Sequence, residues 1–182
     1  MSAGEFRLPG RWSQPRPLET TPRVFRLSHL RKLRRCEQVA AVCFRIRKGR
    51  IEFLLVQTSG GRWIFPKGSA EAGLTNAQTA ALEAYEEAGV HGRIEEASFA
   101  RYVRRKAAES FEVTTSAYLC EVSRLDSPQE EDRNPSWFSP EKAKRRLREG
   151  RERDYASELE RIIDRAVLRI GNLERPVSRK AS

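Results

Sequence analysis

A mixed α/β domain is what this chain predicts, on three observations. Two runs rich in β-branched and aromatic residues flank a short Lys-Gly-Arg turn. An Ala- and Glu-rich segment at 75–88 contains neither Gly nor Pro and stops at Gly89. Near the end, Leu159, Ile162, Ile163, Ala166, Val167 and Ile170 share one helical face. Strands first, one helix between them and helices last exclude a solenoid, and the sequence holds no internal repeat. With 182 residues the chain has room for one sizeable core. No apolar run approaches the roughly 18 to 20 residues of a bilayer span.

The elements follow in order. Residues 1–25 hold four of the nine prolines and little apolar periodicity, so they read as an extension outside the core. RLSHLRKLRR then sets Leu27, Leu30 and Leu33 at helical spacing among arginines, either a turn or two of basic helix or extended chain. The globular pattern begins at Val39. VAAVCFRIR and IEFLLVQT form a hairpin across Lys48, Gly49 and Arg50. GRWIFPKG adds a short strand ending at Pro66, with a glycine-containing turn behind it, and 75–88 is the first clear helix.

Two further strands lie in ASFARYVRRK and SFEVTTSAYLCEV, the second alternating enough to be half-buried. A charged loop at 128–135 leads to SWFS, where Ser139 caps and Pro140 opens a helix through about Arg148. The last helix covers about 154–170 and stops at Gly171.

Charge is unevenly spread. The chain carries 35 Lys and Arg against 25 Asp and Glu, a net +10. Residues 1–36 hold nine basic and two acidic side chains, +7, which leaves 26 against 23, +3, for residues 37–182. The basic excess favours anionic partners but belongs mostly to the leader. Cys36, Cys43 and Cys120 include no C-x-x-C pair, and with no secretory apolar core at the N-terminus they are expected to be reduced thiols of a cytoplasmic protein. Cys43 and Cys120 read as apolar strand fillers.

Chemistry concentrates on the 75–88 helix. Ala80, Ala81, Ala84 and Ala88 fall within about 60° of Ala77, a smooth face for close packing on a sheet. Glu83, Glu86 and Glu87 project away from it, and no neighbouring helical position supplies a compensating Lys or Arg. Three carboxylates at i, i+3 and i+4 repel one another unless a hard divalent cation joins them. In front lies FPKGSAEAG, with Lys67 beside Gly68 and a further carboxylate at Glu71. That puts an acid cluster, a cation and a nearby backbone turn together, as a metal-bridged phosphate requires.

Residues 68–90 resemble the Nudix box, G-x5-E-x7-R-E-U-x-E-E-x-G-U with U aliphatic. Gly68, Glu83, Glu86, Glu87, Gly89 and Val90 match without gaps, and Ala84 is a small variant of the first aliphatic position. Two positions depart: Leu74 stands for the first Glu and Leu82 for the Arg before Glu83. The strands from Val39, the R-W-x-F-P-K-G lead-in and the later W-F-S-P-E-K-A segment extend the likeness over roughly residues 37–150.

This resemblance implies an α/β/α sandwich with a mixed sheet over residues 37–172, between the basic leader 1–36 and a tail at 173–182. It implies hydrolysis of a nucleoside diphosphate linked to a further moiety, with Mg²⁺ or Mn²⁺ on Glu83, Glu86, Glu87 and the carbonyl of Lys67. Glu86 is assigned the general base, with Glu83 as the second catalytic carboxylate. The two departures suggest an ion pair replaced by a Leu74–Leu82 contact, and weakened turnover without the orienting Arg.

For the substrate, the P-K-G lead-in is similar to that of dinucleoside polyphosphate hydrolases. R-W-I-x-P with AAVCFR and EEAGV resembles diphosphoinositol polyphosphate phosphohydrolases. Glu37 and Gln38, where that branch carries basic residues, favour a dinucleoside polyphosphate such as diadenosine polyphosphate. Arg62, Lys67, Arg104, Arg105 and Lys106 are the expected phosphate contacts, and Trp63 and Trp137 either stack a base or pack. Other readings are an RNA 5′-end pyrophosphohydrolase and a weakened phosphate- or RNA-binding module, with RNA held by the Arg-rich leader. The last helix either covers the sheet or supports a homodimer.

Overall fold

The computed structural model describes residues 37–106 and 111–173. In chain order these form β1 (Gln38–Arg47), β2 (Arg50–Gln57), β3 (Trp63–Ile64), β4 (Lys67–Ser69), α1 (Asn76–Ala88), β5 (Val90–Ile94), β6 (Ala100–Lys106), β7 (Phe111–Leu125), β8 (Ser136–Phe138), α2 (Pro140–Arg148) and α3 (Arg153–Leu173). The leader 1–36, with its basic segment, and the end of the tail lie outside the described residues.

Eight strands among the described residues make one mixed sheet. Its centre is the parallel pair of β1 and β7, in register from Gln38 opposite Thr115 to Phe44 opposite Glu121. The other pairings are antiparallel: β2 and β4 share one edge of β1, while β5 and β6 share the far edge of β7. β1 and β2 join through a two-residue turn at Lys48 and Gly49, both at positive φ, one residue shorter than expected because Arg50 already pairs with Arg47.

Strand alternation divides the core into two layers. Val39, Ala41 and Cys43 of β1, with Leu54, Val56, Tyr118 and Cys120, pack against Ala77, Ala80, Ala84 and Ala88 of α1. Ala40, Val42 and Phe44, with Phe53, Leu55, Ala117 and Leu119, meet Ala143 and Leu147 of α2 and Leu159, Ile162, Ile163, Ala166 and Ile170 of α3. This is the α/β/α sandwich, with α1 on one face and α2 and α3 on the other. The last helix covers the sheet, and both Cys43 and Cys120 are buried fillers.

Several expectations change. β7 is not half-buried throughout: Ala117, Tyr118, Leu119 and Cys120 are all buried, because its middle is a central strand with helices on both faces. The supposed turn after Pro66 is β4, which pairs with the start of β1. Ser139 occupies the cap position of α2 but makes no side-chain cap bond. α3 runs on through Gly171 to Leu173, since its apolar face, and not one glycine, decides its extent. No helix among the described residues is long and apolar enough to cross a membrane.

The small residues of α1 let it lie close to the sheet, so volume added there is costly. Ala84→Leu, at a fully buried site, is expected to lower the unfolding free energy by about 1–3 kcal/mol in a urea titration. A loss below about 0.5 kcal/mol, the range of surface changes, would contradict the close packing.

Candidate active site

α1 is fixed at both ends. Thr75 accepts from the Gln78 backbone N–H while the Gln78 side chain accepts from the Thr75 N–H, a reciprocal capping box. At the far end Gly89 sits at φ 65°, and its N–H donates to the Tyr85 carbonyl at 2.8 Å. Only glycine fits there twice over, since an added Cβ would also lie 2.0 Å from the Asp126 carbonyl oxygen.

The loop between β7 and β8 is laid across this helix end. Gln129 and Glu130 donate their backbone N–H groups to the Glu86 carbonyl at 2.9 and 3.0 Å, and the Asp126 N–H donates to the Gly89 carbonyl at 2.8 Å. The Gln57 N–H of β2 donates to the Arg133 carbonyl at 2.6 Å. Asn134 donates through its side-chain amide to that of Gln57 at 2.9 Å. Arg133 itself stands between two non-glycine residues at positive φ, Asp132 at 69° and Asn134 at 45°.

Glu87 lies at the junction of these parts. It was expected to project away from the packed face, yet it is only 3% exposed. β4 and the β7–β8 loop close over it. One carboxylate oxygen accepts the Lys67 backbone N–H at 3.2 Å and the other meets the Arg133 guanidinium at 2.7 Å. Arg133 also pairs with Glu130 at 2.6 Å. The absent helical counter-charge is thus supplied from 46 positions along the chain. Neither Arg133 nor Glu130 was singled out from sequence; only their place in a charged loop beside the box strands hints at them.

Burial pushes the Glu87 carboxyl up to about 7, against the opposing pull of Arg133 and the Lys67 N–H. Glu83 is raised as well, first by burial and then by the negative fields of Glu86 and Glu130. Its carboxylate lies over Gly68 so closely that a Cβ there would fall 1.6 Å from its Oε1. Gly68 is therefore needed for space, not for an unusual φ. Lys67 is lowered by burial, while Glu87 opposes and Arg104 adds to the shift.

Glu83, Glu86, Glu87 and Lys67 are brought together as the motif implied. Among the described residues, however, no three acidic, imidazole or thiol groups converge closely enough to enclose an ion. Leu74 is 39% exposed, and neither it nor Leu82 is among the residues packed in the two core layers. The charge near the glutamates is balanced instead by Arg133.

Of the expected phosphate contacts, Arg104 sits over the Tyr155 ring, 5.8 Å from its centroid. Arg62 lies on the β2–β3 connection, its side chain placed so that a Cβ added at Gly150 would be 3.6 Å from its Cδ. Arg105 and Lys106 pair through β6 with Glu112 and Phe111 of β7, and their side chains lie outside the described residues. Both tryptophans pack: Trp63 meets Phe138 edge-on at 4.9 Å, and Trp137 lies under Arg45 at 4.0 Å.

The family model described as the NUDIX domain matches residues 37–159, more than half of the chain. The chain belongs to the Nudix family. It is a Nudix pyrophosphohydrolase by family and fold. No curated protein matches it closely. Among solved structures it is similar to a C. elegans Ap4A hydrolase in a binary complex, with TM-score 0.58 and 22% identity over 75% of this chain and 98% of that one. It is also similar to the NUDIX domain of Shewanella oneidensis NrtR complexed with ADP ribose, with TM-score 0.57 and 19% identity over 74% and 88% of the two chains. A NUDIX hydrolase from Nitrosomonas europaea gives TM-score 0.56 at 17% identity over 81% and 96%. At such identities the likeness is one of fold.

Two outcomes follow for this Nudix site. Gly68→Ala meets only the flexible end of Glu83, so stability should shift by under about 1 kcal/mol, while displacement of that carboxylate should cut kcat about tenfold or more. Unchanged kcat would mean that the position of Glu83 over Gly68 is immaterial.

The second concerns Arg133. With metal chelated, folded Glu87 near 7 keeps a proton that the unfolded chain, at its ordinary carboxylate value, has released. That contribution is present at low pH and lost as pH rises to about 7. Below the folded value of about 7 Glu87 is largely neutral and Arg133→Gln should cost little; at pH 8 the carboxylate is ionised and the same substitution should cost clearly more. Urea unfolding at pH 6 and pH 8 checks this, and equal losses would contradict it.

Proposed function

We propose that this enzyme cleaves a pyrophosphate bond in a dinucleoside polyphosphate such as diadenosine polyphosphate, with a divalent cation, Mg²⁺ or Mn²⁺, held by Glu83, Glu86 and Glu87. The observation that carries the reading is the pair of desolvated carboxylates, Glu83 over Gly68 and Glu87 on the Lys67 N–H, both displaced toward the neutral form.

The donor set fits such an ion. It is all oxygen and hard, and the burial and mutual repulsion that disfavour ionised Glu83 and Glu87 are what a divalent cation offsets. The carbonyl of Lys67 is the family's further donor at this place. When bound, the ion supplies Lewis-acid polarisation of phosphoryl oxygens and acidifies water. The chain's own contribution is positional. Glu86, next to the glutamates and with its backbone clamped by Gln129 and Glu130, is the general base, and Glu83 is the second catalytic carboxylate. Lys67, whose ammonium lies in the fields of Glu83, Glu87 and Arg104, receives phosphate.

Two features support the polyphosphate substrate: the P-K-G lead-in and the array of cations beyond Lys67. The test is a screen of diadenosine polyphosphates, diphosphoinositol polyphosphate and triphosphate-ended RNA with Mg²⁺, Mn²⁺ and EDTA. Diadenosine polyphosphate should be turned over best and EDTA should stop turnover. Glu86→Gln and Glu87→Gln should each lower kcat about 10²-fold or more. Preference for the inositol substrate or RNA would overturn the substrate; no metal-dependent turnover of any would leave a phosphate-binding role.

A further inference from the structure

Beyond the acid helix, two arginines gather at the ring of one tyrosine and a third, Arg62, lies close enough for its charge to act on it. The ring of Tyr155, near the start of α3, has the Arg104 guanidinium 5.8 Å and the Arg151 guanidinium 5.9 Å from its centroid. Arg151 is fixed in place, donating to the Leu147 carbonyl at 2.7 Å and to the Trp63 carbonyl. Arg62, next to Trp63, rests near Gly150, the neighbour of Arg151. Elements far apart in sequence, the β2–β3 connection, β6 and the α2–α3 junction, thus bring like charges to one place.

Among the described residues no carboxylate forms an ion pair with Arg62, Arg104 or Arg151; Arg47, Arg50, Arg101, Arg145, Arg153 and Arg165 also lack one but are exposed, whereas Arg104 and Arg151 are half-buried. The cost shows in the part-buried Arg151, which is held below its ordinary value first by burial and further by the fields of Arg62 and Arg104. An arginine cannot shed its proton to escape such a setting. Relief has to come from an anion, and a guanidinium with donors left after two backbone bonds matches phosphate oxygens in geometry as well as charge. The charge of Arg104 is felt at Lys67, whose backbone N–H holds Glu87.

We propose that Arg62, Arg104 and Arg151, arranged on Tyr155, form a second phosphate subsite that takes the phosphates of a polyphosphate chain lying beyond the bond being cleaved. It rests on the reading of Glu83, Glu86 and Glu87 as the hydrolytic side of the same site. It makes phosphate number, in place of the base, the main determinant of selection. A substrate with only two phosphates reaches the acid helix and Lys67 but leaves the arginines without a partner.

The test compares diadenosine tetraphosphate with ADP-ribose in wild type, Arg104→Gln, Arg151→Gln and Arg151→Lys. Arg104→Gln carries the argument if Arg151→Gln loses its fold, since Arg104 anchors no backbone. KM for the tetraphosphate should rise about tenfold or more, the loss of one charge-assisted contact, with kcat little changed and a clearly smaller rise in KM for ADP-ribose. Equal effects on both substrates, or none, would overturn the subsite. Calorimetric binding of inorganic tripolyphosphate separates this from the catalytic reading. Glu87→Gln should keep that binding while losing turnover, whereas Arg104→Gln should weaken it. Wild type that binds no tripolyphosphate, or Arg104→Gln that binds it as wild type does, refutes the subsite whether or not the enzyme turns over.

Discussion

A carboxylate almost sealed from water organises this structure. Glu87 is tolerated in its position only because a backbone N–H from β4 and a guanidinium from the β7–β8 loop reach it; a lone buried charge would be far costlier. Each partner needs its own support. β4 must pair with β1 to present the Lys67 N–H, and the β7–β8 loop must cross the end of α1 to present Arg133. The sheet, the helix and the loop are therefore tied through one side chain, and the glutamates proposed to act in hydrolysis inherit their geometry from that tie.

The same arrangement explains the small residues around it. Alanines on α1 bring the helix close to β1 and β7, so that Glu83 can pass over Gly68 and Glu87 can reach β4. Gly89 lets the chain turn while the backbone at Asp126 passes close by. On the opposite face of the sheet bulkier Leu and Ile residues hold α3, whose start carries Tyr155 and, through it, the arginines. One layer thus holds the acids and the other anchors cations, with Lys67 between them.

Much of this was legible in the residues. The turn around Lys48 and Gly49, the bounds of α1 and the spacing of Glu83, Glu86 and Glu87 follow from local patterns whose partners lie within a few positions of each other, while the place of Lys67 beside them follows from the resemblance to the Nudix box. What was missed depends on long-range contacts. Nothing local says that a loop near residue 133 supplies the cation for position 87, or that Arg151 meets Trp63. The burial of Glu87 was misread for the same reason: a helical projection knows which residues face the sheet but not which loops cover the other side. β4 reads as a turn in the sequence because three residues carry too little pattern to compete with a Pro-Lys-Gly string, and it is the pairing edge offered by β1 that makes it a strand.

On the proposed function, the buried acids serve a divalent cation and are not simply a structural ion-pair network. The most direct measurement is Mn²⁺ binding without nucleotide, followed by electron paramagnetic resonance on wild type and on Glu87→Gln. Saturable binding by the wild type that is lost in the variant is the predicted result. No binding by the folded wild type, or equal binding by both proteins, would contradict it.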